Sequence, residues 1–98
     1  MKNHLDVEEI KQKVVPILQR NNVVRAGLFG SLARREETSD SDIDLLIDFG
    51  DNRKTLFDLV DLEEELERAL GRKVDLVFYD GLKLRLRQRI LEEQIQLL

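Results

Sequence analysis

The stretch from Ile43 to Phe49 reads IDLLIDF, an apolar run of strand length that is entered through a pair of aspartates, Asp42 and Asp44. Four to eight residues are too few for a stable helix, and a run this apolar must be covered on at least one side. It therefore predicts a strand that is buried in its middle. In a strand, residues i and i+2 point to the same face, about 7 Å apart at Cα. Asp42 and Asp44 thus aim two carboxylates together, and Ile43 faces the other way. Two adjacent carboxylates repel, and removing them from water is costly unless a cation joins them.

The rest of the chain supplies the elements that such a strand needs. Asp6 with Glu9 three residues on marks a helix start, and Val7, Ile10, Val14, Ile17 and Leu18 recur at the helical period up to about Arg20. Pro16 falls inside that helix and predicts a kink rather than a stop, because the apolar face continues beyond it. VVRAGLF, 23–29, is a strand by its β-branched and aromatic content. Gly30 and Ser31 turn the chain into a short helix over 32–36. Thr55 with Asp58 caps the clearest helix, lined by Leu59, Leu62, Leu66 and Leu70 and stopped by Gly71. KVDLVFY, 73–79, is a third strand, and Asp80 and Gly81 turn the chain. LKLRLRQRI alternates like a strand, but Leu84, Leu91, Ile95 and Leu98 repeat like a helix, and the many helix formers favour a helix over 82–97. This reading predicts an α/β (α+β) fold, a small mixed three-stranded sheet flanked by helices, in a single domain over residues 1–98.

Composition removes whole classes of function. No cysteine is present, so disulfides and thiolate metal sites are excluded, and one histidine, His4, cannot build a histidine triad or a zinc site. No apolar run nears the roughly 20 residues of a membrane helix. The opening MKNHLDVEEIKQK does not resemble a secretory signal, so a cytoplasmic location is expected. The net charge of −4 is unevenly placed. Residues 36–52 hold seven acids and no Lys or Arg, which leaves 13 of the 20 acids against all 16 bases elsewhere. Such a local negative field attracts cations and repels a bare phosphate backbone. A solvated acidic loop would show the same composition.

Three further features bear on the acid pair. Asp75 is again one acid in an apolar strand, and side by side with the first strand it would bring a third carboxylate; alone it could equally be an ion-paired edge residue. Hard oxygen ligands suit Mg²⁺, which keeps waters for substrate phosphates, and two such ions about 3.5–4 Å apart can clamp a phosphoryl centre. Gly30 admits a ligand close to the backbone, the following helix N-terminus offers N–H groups to an anion, and the Ser31 hydroxyl can donate to a phosphate oxygen. A Gly-Ser pair alone is as often just a turn and a cap.

The run GSLARREETSDSDIDLLI, 30–47, resembles the minimal nucleotidyltransferase (MNT) domain of the DNA-polymerase-β-like nucleotidyltransferase superfamily. That pattern is Gly-Ser, about ten residues, Asp-x-Asp, and a third acid on a later strand. Gly30, Ser31, Asp42, Asp44 and Asp75 match it, and Arg35 stands where relatives often have glycine. The resemblance implies a nucleotidyltransferase fold and the attack of an acceptor hydroxyl on the α-phosphate of a nucleoside triphosphate. In it Asp42 and Asp44 hold two Mg²⁺ ions, Asp75 holds the ion nearer the acceptor, and Gly30 and Ser31 hold the β- and γ-phosphates. Arg34 either reaches the triphosphate or pairs with Glu37 or Asp40. Asp48, at the far end of its strand, reads as structural. Lys83, Arg85, Arg87 and Arg89 form a basic cluster that is a solvated helix face or a partner surface.

The acceptor is not written in the chain, which has neither an aromatic platform nor a long basic groove for direct nucleic-acid binding. Small domains resembling this one are antitoxins paired with HEPN-domain toxins. The resemblance thus implies transfer of AMP from ATP to a tyrosine of a HEPN RNase toxin, in a hetero-oligomer with it. Two alternatives remain open at this level: an antitoxin that neutralises by binding alone, and a nucleotidyltransferase subunit for a small-molecule acceptor.

Overall fold

The computed structural model describes residues 6–30, 33, 42–50 and 55–98. Its elements run α1 (Val7–Arg20), β1 (Arg25–Phe29), β2 (Ile43–Asp48), α2 (Leu56–Leu70), β3 (Val74–Phe78), a 3₁₀ turn (Tyr79–Gly81), α3 (Leu84–Glu93) and β4 (Ile95–Gln96). The mixed α/β class expected from the sequence holds, with four strands in place of three. The 16-residue tail helix expected over 82–97 is corrected. It ends at Glu93, and Ile95–Gln96 pairs with β1 instead.

The two long helices start and stop where their chemistry dictates. Asp6 accepts the Glu9 N–H at 2.9 Å, which satisfies one of the donors a helix start leaves open. α1 then continues through Pro16 to Arg20 with Ile10, Val14, Ile17 and Leu18 buried. α2 carries a reciprocal capping box between Thr55 and Asp58 and ends at Gly71, whose φ of +67° is a left-handed value that a side chain resists. Glu65 ties the two helices together, accepting from Asn21 Nδ2 at 3.1 Å and pairing with Arg20.

The sheet has the order β3-β2-β1-β4, with β2 and β3 parallel and the other pairs antiparallel. α2 supplies the crossover that a parallel pair needs. One face carries Ala26, Leu28, Ile43, Leu45, Ile47 and Val74 into a core with α1 and with Leu62, Leu66 and Leu70 of α2. Each fully buried leucine contributes on the order of 2 kcal/mol. Alternation sends Gly27, Phe29, Asp44, Leu46, Asp48 and Asp75 to the opposite face. There Tyr79 is buried, donates its hydroxyl to Gln94 Oε1 at 3.1 Å and lies under Arg25, whose guanidinium is 4.2 Å from the ring centroid. Gly27 lets the Gln94 side chain lie against the strand, and a Cβ there would have to displace the Gln94 amide. These contacts anchor the returning chain on one half of this face. Among the described residues no helix is long and apolar enough to cross a membrane.

Candidate active site

The parity of β2 is set by its core. Ile43, Leu45 and Ile47 are all fully buried on the helix side, so Asp44 must face the other way. A slip of one residue would drive Asp44 into the core, where an unpaired carboxylate costs far more than the slip gains. β3 then lies parallel with Val74 opposite Ile43 and Asp75 opposite Asp44. Strands in a sheet are about 4.8 Å apart, and in-register residues of a parallel pair share a face. Asp75, on the edge strand of the sheet, is therefore the direct neighbour of Asp44. The ladder extends past the strand start, with Ile43 N–H donating to the Lys73 carbonyl at 2.9 Å. Asp42, two residues before Asp44 in sequence, shares its parity; both are half-buried and Asp75 is exposed.

Gly30 closes the other side. It follows β1, whose last residue, Phe29, is the cross-strand partner of Asp44. Its φ is +78°, and a Cβ there would sit 2.2 Å from Asp44 Oδ2. Two constraints thus demand glycine at one position: the left-handed backbone and the carboxylate against it. Of the six candidates Gly30, Ser31, Arg34, Asp42, Asp44 and Asp75, the structure brings Gly30, Asp44 and Asp75 to one end of one sheet face, with Asp42 directly before β2. Ser31, Arg34 and the short helix expected over 32–36 involve positions outside the described residues.

Asp48 takes the structural part expected of it. Its Oδ1 accepts the Gly50 N–H at 2.7 Å, and it sits opposite Arg25 at the far end of β2. A feature missed in the sequence is the acidic side of α2 near β3. Glu63 has its pKa raised, first by burial and then by Glu67 and Asp75, against the lowering effect of Lys73. Glu67 also accepts the Val74 N–H at 2.9 Å, beside the acids of the site. The Gly27–Gln94–Tyr79 contact was missed as well. Only the glycine inside a strand could have signalled it.

The donors present are oxygens, which fits a hard divalent ion. The backbone puts two of them, on Asp44 and Asp75, on one face beside Gly30, and Asp42 directly precedes β2. Their carboxyl ends do not meet at one point: among the described residues, no three acidic, histidine or cysteine side chains form a metal-holding group. Like charges on neighbouring strands repel, so convergence is work that a cation would perform. The fit is thus one of donor chemistry and backbone placement.

Comparison with known proteins matches this arrangement to a family. Residues 12–98 match the family model described as polymerase beta, nucleotidyltransferase. A Methanocaldococcus jannaschii protein with a provisional protein adenylyltransferase name is 46% identical over 94 residues, covering 96% of this chain and 100% of the relative. The protein adenylyltransferase MntA of Thermococcus cleftensis is 37% identical over 95 residues, covering 93% and 95%. Among solved structures, a tri-AMPylated Shewanella oneidensis HEPN toxin in complex with MNT antitoxin aligns with a TM-score of 0.66 and 25% identity, covering 93% of this chain and 71% of that one. The chain belongs to the polymerase β-type nucleotidyltransferase family.

Proposed function

We propose that this protein is an antitoxin that transfers AMP from ATP to a tyrosine hydroxyl of a HEPN-domain toxin. The observation that carries the reading is the register of Asp44 with Asp75, on the face where the Asp44 carboxylate packs directly against Gly30. The names of the relatives and the AMPylated toxin in the aligned complex support the choice of AMP and of a protein acceptor.

In this reading Asp42, Asp44 and Asp75 hold two Mg²⁺ ions. Bound magnesium would supply positive charge where negative charge builds on the phosphoryl oxygens and would acidify the acceptor hydroxyl. Gly30 lets the triphosphate approach the backbone, and Ser31 and Arg34 donate to its β- and γ-oxygens. The acceptor oxygen forms a bond to the α-phosphorus as the bond to pyrophosphate breaks. Asp75, on the exposed edge strand, lies where an incoming protein can reach, and it receives the hydroxyl proton.

The test is incubation of the full chain with ATP, Mg²⁺ and the cognate HEPN protein, followed by intact-mass measurement of that protein. A gain of one or more AMP units, lost in Asp44→Asn, is expected. Neutralisation of the toxin with no mass gain, equally strong in Asp44→Asn, would instead assign a binding antitoxin. Transfer to a free small molecule but not to the HEPN protein would assign a different acceptor class.

A further inference from the structure

α3 is the element whose sequence and environment disagree most. None of its residues is buried, and 83–89 are all exposed, with Leu84 86% and Leu86 48% accessible. Lys83 stands at its N-cap without a side-chain cap bond. The charges are placed against the helix dipole. Lys83, Arg85 and Arg87 crowd the N-terminal end, which already carries partial positive charge, and Glu92 and Glu93 sit at the negative end. Among the described residues Arg89 pairs with Glu93 at 3.2 Å, but no ion pair joins Lys83, Arg85 or Arg87 to another side chain. A ten-residue helix is marginal in water without tertiary packing. Charges in this order weaken it further, unless anions are brought to its first turns.

We infer that α3 is a docking surface for an acidic protein face, on which carboxylates surround an apolar notch that takes Leu84. The identity of that partner, the HEPN-domain acceptor, rests on the function proposed above. Charge complementarity selects the acidic face, because carboxylates would answer both the three cations and the helix N-terminus. The exposed leucines favour protein over RNA, since they gain from apolar burial and the segment 83–93 has no aromatic side chain for base stacking. Asp80, three residues before Lys83, would also repel a phosphate backbone. The anchors of the α3 segment, Tyr79 and Gln94, lie on the carboxylate face of the sheet. A partner seated on α3 is therefore held on the same side as Asp44 and Asp75.

Titration of the full chain with the purified cognate HEPN protein, in the absence of ATP, tests this. Arg85→Glu/Arg87→Glu should bind at least about tenfold more weakly than the parent, whose affinity should fall with added salt. The double variant should melt no lower, because it places acids at the helix N-terminus. Leu84→Ser should weaken binding with less change in salt dependence. Equal binding by parent and Arg85→Glu/Arg87→Glu, no binding by the parent, or tighter binding of a single-stranded RNA oligonucleotide through these arginines overturns the docking surface. Equal binding with AMP still transferred leaves the catalytic reading intact. Weakened binding of the variant, with no transfer by the parent in ATP and Mg²⁺, keeps the surface and removes the catalytic reading.

Discussion

Replacing Gly30 by alanine separates backbone strain from damage to the site. At φ +78° an alanine costs about 1–2 kcal/mol relative to glycine. In a domain of this size that corresponds to a drop in Tm of roughly 4–8 °C for each kcal/mol. The new Cβ would also stand 2.2 Å from Asp44 Oδ2, where a carbon–oxygen contact needs about 3.3 Å. The carboxylate must therefore give way by about 1 Å. A misplacement of that size in a reacting centre costs on the order of 10²-fold in rate. Gly71 provides the control: its φ is +67°, yet nothing lies within 4 Å of where a Cβ would stand. Gly71→Ala should lose stability by a similar amount and keep full transfer activity per folded molecule. Thermal melting and initial rates of AMP transfer, measured side by side at a temperature where both variants are folded, decide the matter. If Gly30→Ala lowers Tm as Gly71→Ala does but transfers within a few-fold of the parent, the coupling of Gly30 to Asp44 is not part of the chemistry.

Three further outcomes follow from the same geometry. Asp75→Asn should abolish most transfer while leaving Tm equal or higher without added metal, because it relieves repulsion with Asp44 and Glu63; a clear fall in Tm would mean that Asp75 is chiefly structural. Glu63 has its pKa raised by burial and by Glu67 and Asp75, so its ionisation works against the fold. Its contribution is fully present below the ordinary glutamate pKa of about 4.3 and is lost as pH rises through the raised value. Glu63→Gln should therefore stabilise at neutral pH, with the gain vanishing in acid, as read from Tm against pH. Tyr79 is the sole tyrosine, and burial raises its pKa despite Arg25. Its near-ultraviolet phenolate absorbance should appear above the free tyrosine range of about pH 10, and Arg25→Ala should move that midpoint further up.

How much of this was legible in the chain depends on the range of the interaction. α2 was readable because its signals are local: Thr55 caps, Asp58 answers three residues later and Gly71 stops the helix. The face of Asp44 was equally local, since it follows from strand parity once Ile43, Leu45 and Ile47 are assigned to the core. The neighbour of Asp44 was not local. That Asp75 lies in register with it depends on β3 adding parallel to β2 through α2, and a second apolar strand with one acid only suggested it. The tail was misread for a similar reason. Ile95–Gln96 is too short to carry a strand pattern, and its pairing to Gly27 and Leu28 depends on the chain passing back across the sheet. The helical repeat of Leu84, Leu91, Ile95 and Leu98 led past the true end at Glu93. Gly30 was legible as a turn, but its contact with Asp44 joins two strands and appears only in three dimensions.

The central claim is that a divalent ion is gathered between β2 and β3 beside Gly30. Addition of Mn²⁺ to the isotope-labelled full chain tests it directly, through paramagnetic broadening of backbone amide signals. The broadening should centre on Gly30, Asp44 and Asp75, compete with Mg²⁺, and collapse in Asp44→Asn. Broadening centred instead on Glu63, Glu64 and Glu67, and unchanged in Asp44→Asn, would place the ion on the flank of α2 and contradict the account.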